Sequence, residues 1–119
     1  MKLKTSELQG AALDWAVANC EFPDANTQDI EVWVQPLPCD DLEDFKFQPS
    51  TDWAQGGPII ERERISTQTT EDYWDADLTT ESGAFIQSVG DTPLIAAMRC
   101  YVASKMGDEV EVPDELLQS

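Results

Sequence analysis

The residues best suited to chemistry lie together between Ser50 and Arg64. Trp53 offers a flat aromatic face for stacking, and Gln55 offers an amide. Gly56 and Gly57 let a ligand approach the backbone closely. Arg62 and Arg64 carry planar guanidinium groups that grip an anion through two parallel hydrogen bonds. Ile59 to Ile65 reads I-I-E-R-E-R-I, and as a strand it places Arg62 and Arg64 on one face and Glu61 and Glu63 on the other. An aromatic platform beside two such arginines is the set of parts that holds a nucleotide-like small molecule, its base stacked and its phosphate gripped. The same residues also admit a plainer reading. Trp53 would anchor a turn, Gly56-Gly57 would stop a short helix, and the arginines would neutralise Glu61 and Glu63. This is not a phosphate loop, because neither Lys-Ser/Thr nor a helix start follows the glycines.

Other chemistries have fewer parts. Histidine is absent, which removes Ser-His-Asp triads, Cys-His pairs and histidine-containing zinc sites. Carboxylate pairs occur at Asp40/Asp41, Glu43/Asp44 and Asp75/Asp77. With 24 acidic residues in 119, such pairs arise by chance and mark solvated surface. Cys20, Cys39 and Cys100 fit no metal knuckle by spacing, and Cys20 and Cys100 fall in helical segments as small buried hydrophobes. Neither catalytic residues, nor a metal site, nor a cofactor is expected, and the chain reads as a binding protein rather than an enzyme.

The charge narrows the partners. Seven basic residues against 24 acidic ones give a net charge of -17, which opposes direct binding to nucleic acid or to an anionic membrane. The same charge supports a second function class, an acidic protein-interaction or DNA-mimic inhibitor of a host enzyme, acting through Asp40, Asp41, Glu43 and Asp44. No signal peptide and no run of about 20 apolar residues is present, so a cytoplasmic location is expected.

These residues need a scaffold. At 119 residues and 41% apolar content, the chain suits one domain over residues 1–119. A helix is expected over residues 6–20, capped by Ser6 with Gln9 and bearing Leu8, Ala12, Trp15 and Ala16. Ile30, Val32 and Val34 alternate as a half-buried strand, and residues 39–48 read as an acidic loop. Residues 73–79 and 84–89 read as a hairpin turning at Glu81-Ser82-Gly83. The strongest helix signal runs over 93–106, with Asp91 or Thr92 as cap, Pro93 in the first turn and Gly107 as stop. Residues 110–117 read as a short extended piece followed by one helical turn. The expected fold is α+β, a small antiparallel sheet with two helices packed on one face. Leu8, Trp15, Ala16, Leu94, Met98 and Val102 are its expected core.

Three blocks carry a family resemblance: Leu13 to Ala18, Ser50 to Glu63 (S-T-D-W-A-Q-G-G-P-I-I-E-R-E) and Thr92 to Lys105. They resemble blocks of the NinX-like bacteriophage proteins, and the likeness extends from the first helix to Val112. The resemblance implies a small accessory protein of a tailed phage, expressed in the cytoplasm of the infected bacterial host. The resemblance implies no specific biochemical role; from the residues between Trp53 and Arg64, the expected role is host takeover or counter-defence by sequestering a small molecule. A nucleotide-like small molecule or a host protein is the expected partner, and a second copy of the chain is a further one.

Overall fold

The computed structural model describes residues 2–23 and 47–112. The expected strand at 30–34, the acidic residues Asp40, Asp41, Glu43 and Asp44, and the helical turn after Pro113 lie outside the described residues.

The described chain runs β1 (Lys2–Lys4), a single 3-10 turn (Thr5–Glu7), α1 (Gly10–Glu21), α2 (Trp53–Glu63), β2 (Ser66–Thr69), β3 (Trp74–Thr79), β4 (Phe85–Gly90), α3 (Pro93–Met106) and β5 (Glu109–Glu111). β2, β3 and β4 form an antiparallel sheet in that order, with Thr67 opposite Ala76 and Ala76 opposite Ser88. β1 and β5 form a separate antiparallel pair. The fold is α+β, as expected.

α3 forms where the sequence places it. Thr92 Oγ1 accepts the Ile95 backbone N–H at 3.1 Å, Pro93 occupies the first turn, and Gly107 takes the positive φ of 88° that ends the helix. The helix lies over all three strands of the sheet, and α1 and α2 pack against it. Gly90 permits the close seat, because a Cβ there would stand 2.8 Å from Ala96 N and 2.7 Å from Ile95 Cγ2. Leu8, Trp15, Ala16, Leu94, Met98 and Val102 are all buried. In α1 the whole run Ala12 to Ala18 is buried, so this helix is covered on every side rather than amphipathic.

Four expectations change. The first helix begins at Gly10, not residue 6, and Ser6 does not cap it. Residues 5–7 turn separately because Thr5 is tied to the far end of α3, with its N–H on Asp108 O at 2.7 Å and its hydroxyl on Gly107 O at 2.6 Å. The expected strand over Ile59–Ile65 is instead the second half of α2. Gly56, Ile59, Ile60 and Glu63 follow helical spacing and form its inner side, whereas the E-R-E-R alternation is coincidental. Gly56-Gly57-Pro58 does not stop the helix either. Asp52 Oδ1 caps it by accepting Ala54 N at 3.0 Å, Gly56 is buried against neighbouring chain, and Pro58 sits within it. Lastly, Ser66–Thr69 is a strand that its four exposed polar residues do not announce.

Candidate functional site

Recasting residues 59–63 as helix rearranges the proposed site. Trp53 and Arg62 are nine positions apart in one helix, about 13 Å along its axis and half a turn around it. The structure therefore does not bring the stacking group and the arginines together.

At the N-terminal end, Trp53 is 56% exposed, and its ring lies against Gly57, whose added Cβ would meet Trp53 Cε3 at 3.8 Å. It borders a small pocket of about 190 Å³ with Ser50, Thr92, Leu94 and Ile95. Gln55 is occupied with structure. Its Oε1 accepts Gln48 N at 2.9 Å and its Nε2 donates to Asp52 Oδ2 at 3.1 Å, closing the turn that leads into α2. Gly56 faces inward, where a Cβ would lie 2.4 Å from Pro49 O. It provides close packing rather than ligand access.

At the C-terminal end, Arg62 already grips an anion, and that anion is internal. Its Nη1 and Nη2 donate to Glu21 at 3.0 and 2.5 Å, Nε donates to Glu63 at 2.8 Å, and Nη2 also reaches the Tyr101 hydroxyl at 3.2 Å. Its guanidinium carbon stands 5.7 Å from the Tyr101 ring centroid, within cation–π range. Tyr101 donates its hydroxyl to Glu21 at 2.5 Å, so α1, α2 and α3 meet in one polar clamp.

The titrations follow from this clamp. Burial pushes the Glu21 carboxyl up, but hydrogen bonds from Arg62 and Tyr101 outweigh it and hold the group below its ordinary range. Burial and the neighbouring Glu21 carboxylate push the Tyr101 phenol above its usual range. A carboxylate with a lowered folded pKa stabilises the fold above its unfolded value, about 4.3, and that contribution disappears as pH falls through the folded pKa. Acid titration of the melting temperature should therefore fall less steeply below about pH 4.3 in Glu21→Gln than in the wild type. Because half of the Arg62 side chain is exposed, the difference should stay below about 1 kcal/mol. Parallel acid limbs would show that the clamp contributes nothing.

Arg64 is placed quite differently. It lies beyond the last helical residue in the left-handed conformation, with φ 56° and ψ 45°. Its N–H bonds Glu61 O at 3.3 Å and the Ile65 N–H bonds Ile60 O at 3.0 Å, a Schellman ending that normally uses glycine. Its guanidinium is exposed and has no partner among the described residues. Arg62, Arg64 and Lys105 border one open cleft of about 800 Å³ between the ends of α2 and α3 and the β3–β4 turn. Hydroxyls of Thr80, Ser82 and Ser104 and the carboxylates of Glu63 and Glu81 share its walls, and Lys105 Nζ stands 3.7 Å from Glu63. Sequence reasoning named both arginines but missed Lys105, Glu21 and the hairpin hydroxyls. Their only signal is spatial, since Glu21 and Arg62 are 41 residues apart in the chain.

The remaining candidates have ordinary surroundings. Asp75 and Asp77 share a face of β3, and Asp75 Oδ1 accepts Gln87 Nε2 at 2.9 Å. Among the described residues no three acidic or thiol groups converge as metal ligands. Burial pushes the thiols of Cys20 and Cys100 up to about 12, which leaves both protonated and weakly nucleophilic at neutral pH. Among the described residues no helix is long and apolar enough to cross a membrane.

No curated protein matches the chain. A family model does: the one described as Bacteriophage P22, NinX, matches residues 4–105. That span takes in every described element except β5, the first two residues of β1 and the last residue of α3. With most of its length matched, the chain belongs to the bacteriophage P22 NinX family and is a phage accessory protein.

Proposed function

We propose that this accessory protein acts by binding, without catalysis, and that it sequesters a nucleotide-like anion inside the infected cell as a counter-defence factor. The observation that carries the reading is the cleft. In a chain of net charge -17, three of the seven basic side chains border one open hollow together with hydroxyl donors. Among the described residues Arg64 is the cation there with no partner, and Lys105 is only loosely held by Glu63. Both can turn to a phosphate, and of the Thr80–Ser82 hydroxyl pair, 2.9 Å apart, one keeps a proton to donate to a remaining oxygen, while Ser104 stays bonded to Tyr101 O. Trp53 stands at the other end of α2, so the cleft selects for the phosphate moiety rather than for a stacked base.

The conformation of Arg64 supports the same reading. A non-glycine residue in the left-handed region costs roughly 1–2 kcal/mol, and glycine there avoids the cost at about 0.5–1 kcal/mol of extra chain entropy. Arg64→Gly should thus hold or raise stability by up to about 1 kcal/mol while removing the free guanidinium. Isothermal titration against linear and cyclic nucleotides should give binding in the wild type. The signal should be at least tenfold weaker in Arg64→Gly and in Lys105→Ala, and stronger in Glu81→Gln, which removes a competing carboxylate. No heat from any nucleotide would overturn the proposal in favour of the acidic-interaction class. Equal affinity in wild type and Arg64→Gly would move the site away from this cleft.

A further inference from the structure

The three-stranded sheet ends on β4, and among the described residues no strand pairs with its outer edge. The turn bond from Thr80 N to Ala84 O, at 2.9 Å, sets the alternation of the hairpin ladder. Ile86 and Ser88 turn their backbone groups toward β3, and Phe85, Gln87 and Val89 turn theirs outward. Arg99 Nη1 donates to Val89 O at 2.8 Å, which fits that phase. Among the described residues no other partner meets these outward groups. Edge strands are usually protected by charge, proline or a bulge. The β4 sequence F-I-Q-S-V-G has no charge and no proline, in a chain that is 26% charged. Phe85 and Val89 are 63% and 42% exposed, on the face turned away from α3. Alongside Phe85–Ser88 runs a cleft of about 560 Å³, bounded on its far side by Lys4, Asp108 and Glu109. Four strand residues border it, or about 13 Å at ~3.3 Å per residue.

We propose that the free edge of β4 docks an extended, basic segment of a partner protein as a fourth strand of the sheet. Backbone groups of Phe85 and Gln87 supply the ladder, and the exposed Phe85 and Val89 supply pockets for alternate side chains. Charge selects the occupant. Asp108 and Glu109 on the far wall, with Asp77 opposite Gln87 in the neighbouring strand, outnumber Lys4 and Arg99. A second copy of this chain would bring another -17 to the same edge. The surface uses none of the anion cleft's cations, so it stands or falls separately from the proposed function.

The probe is a blocked six-residue peptide alternating lysine with valine, followed by amide NMR shifts of the intact protein. A glutamate–valine peptide and a lysine–glycine peptide are the controls. The lysine–valine peptide should shift the Phe85, Gln87 and Val89 amides and should bind at least tenfold more tightly than either control. Gln87→Pro removes one outward N–H, a change that an edge strand tolerates, and should weaken binding at least tenfold with the circular dichroism spectrum unchanged. Arg64→Gly should leave this binding intact. Three results would each overturn the proposal: no binding, binding undiminished by Gln87→Pro or matched by lysine–glycine, or a sedimenting dimer that Gln87→Pro dissociates.

Discussion

Met98→Ala is expected to lower the unfolding free energy by about 2–5 kcal/mol. Met98 is fully buried on α3, the helix that touches the sheet on one side and packs with α1 and α2. Truncation removes three heavy atoms' worth of apolar contact and leaves a hollow in a core that relaxes only partly. Its surroundings favour the upper half of that range. Leu94 and Val102, four positions to either side on the same face of the helix, are themselves buried and packed, so neither can readily swing into the gap. Domains of this size are typically stable by only 5–15 kcal/mol, so the loss would move the urea midpoint far while leaving the slope unchanged. A change below about 0.5 kcal/mol, the level of an inert surface substitution, would show that α3 does not carry the core.

What could be read from the chain, and what could not, follows the distance over which each signal acts. α3 and the β3–β4 hairpin were legible because their determinants are local: a cap at Thr92, Pro93 in the first turn, Gly107 at the end, and Gly83 with φ 93° in the turn. α2 was misread for a physical reason. Gly56, Gly57 and Pro58 are punctuation to a local reader, and E-R-E-R fits a period of two as readily as one of 3.6. What makes the segment a helix is the packing of Gly56 on Pro49 and Leu94, contacts made with the preceding turn and with a helix almost 40 residues further on. The β1–β5 pair was invisible for the same reason, since Lys2 meets Glu111 across nearly the whole chain. At the site, the residue types were informative and the geometry was not. Arg62 and Arg64 do line one cleft, yet one is bound to Glu21 and the other has no partner among the described residues, a difference set by chain far away in sequence.

The adjacent glycines of α2 should respond to the same substitution in different ways. At Gly56 an added Cβ would sit 2.4 Å from Pro49 O and 2.6 Å from Leu94 Cδ2. Leu94 can rotate away, but the Pro49 carbonyl cannot easily retreat. Its turn is held by Asp14 Oδ1, which accepts Ser50 N at 2.9 Å, and by Gln55 Oε1, which accepts Gln48 N at 2.9 Å. The Asp14 bond is buried, and breaking it would forfeit a charge-assisted hydrogen bond in the core. Overpacking of this kind typically costs about 1–3 kcal/mol, and the helix propensity gained over glycine returns only about 1. Because the obstacle is backbone held from two sides, Gly56→Ala should lie at the destabilising end, with a net loss of about 2 kcal/mol. At Gly57 the added Cβ meets only Trp53 Cε3, at an ordinary 3.8 Å. The propensity gain there is offset by Pro58, whose ring crowds a Cβ on the preceding residue when that residue is helical. Gly57→Ala should therefore stay within about 0.5 kcal/mol of wild type. Paired thermal or urea melts read the contrast directly. Equal shifts at the two positions would mean that helix propensity, rather than the seat of Gly56 on Pro49, sets the stability of the segment that carries Arg62 and Arg64.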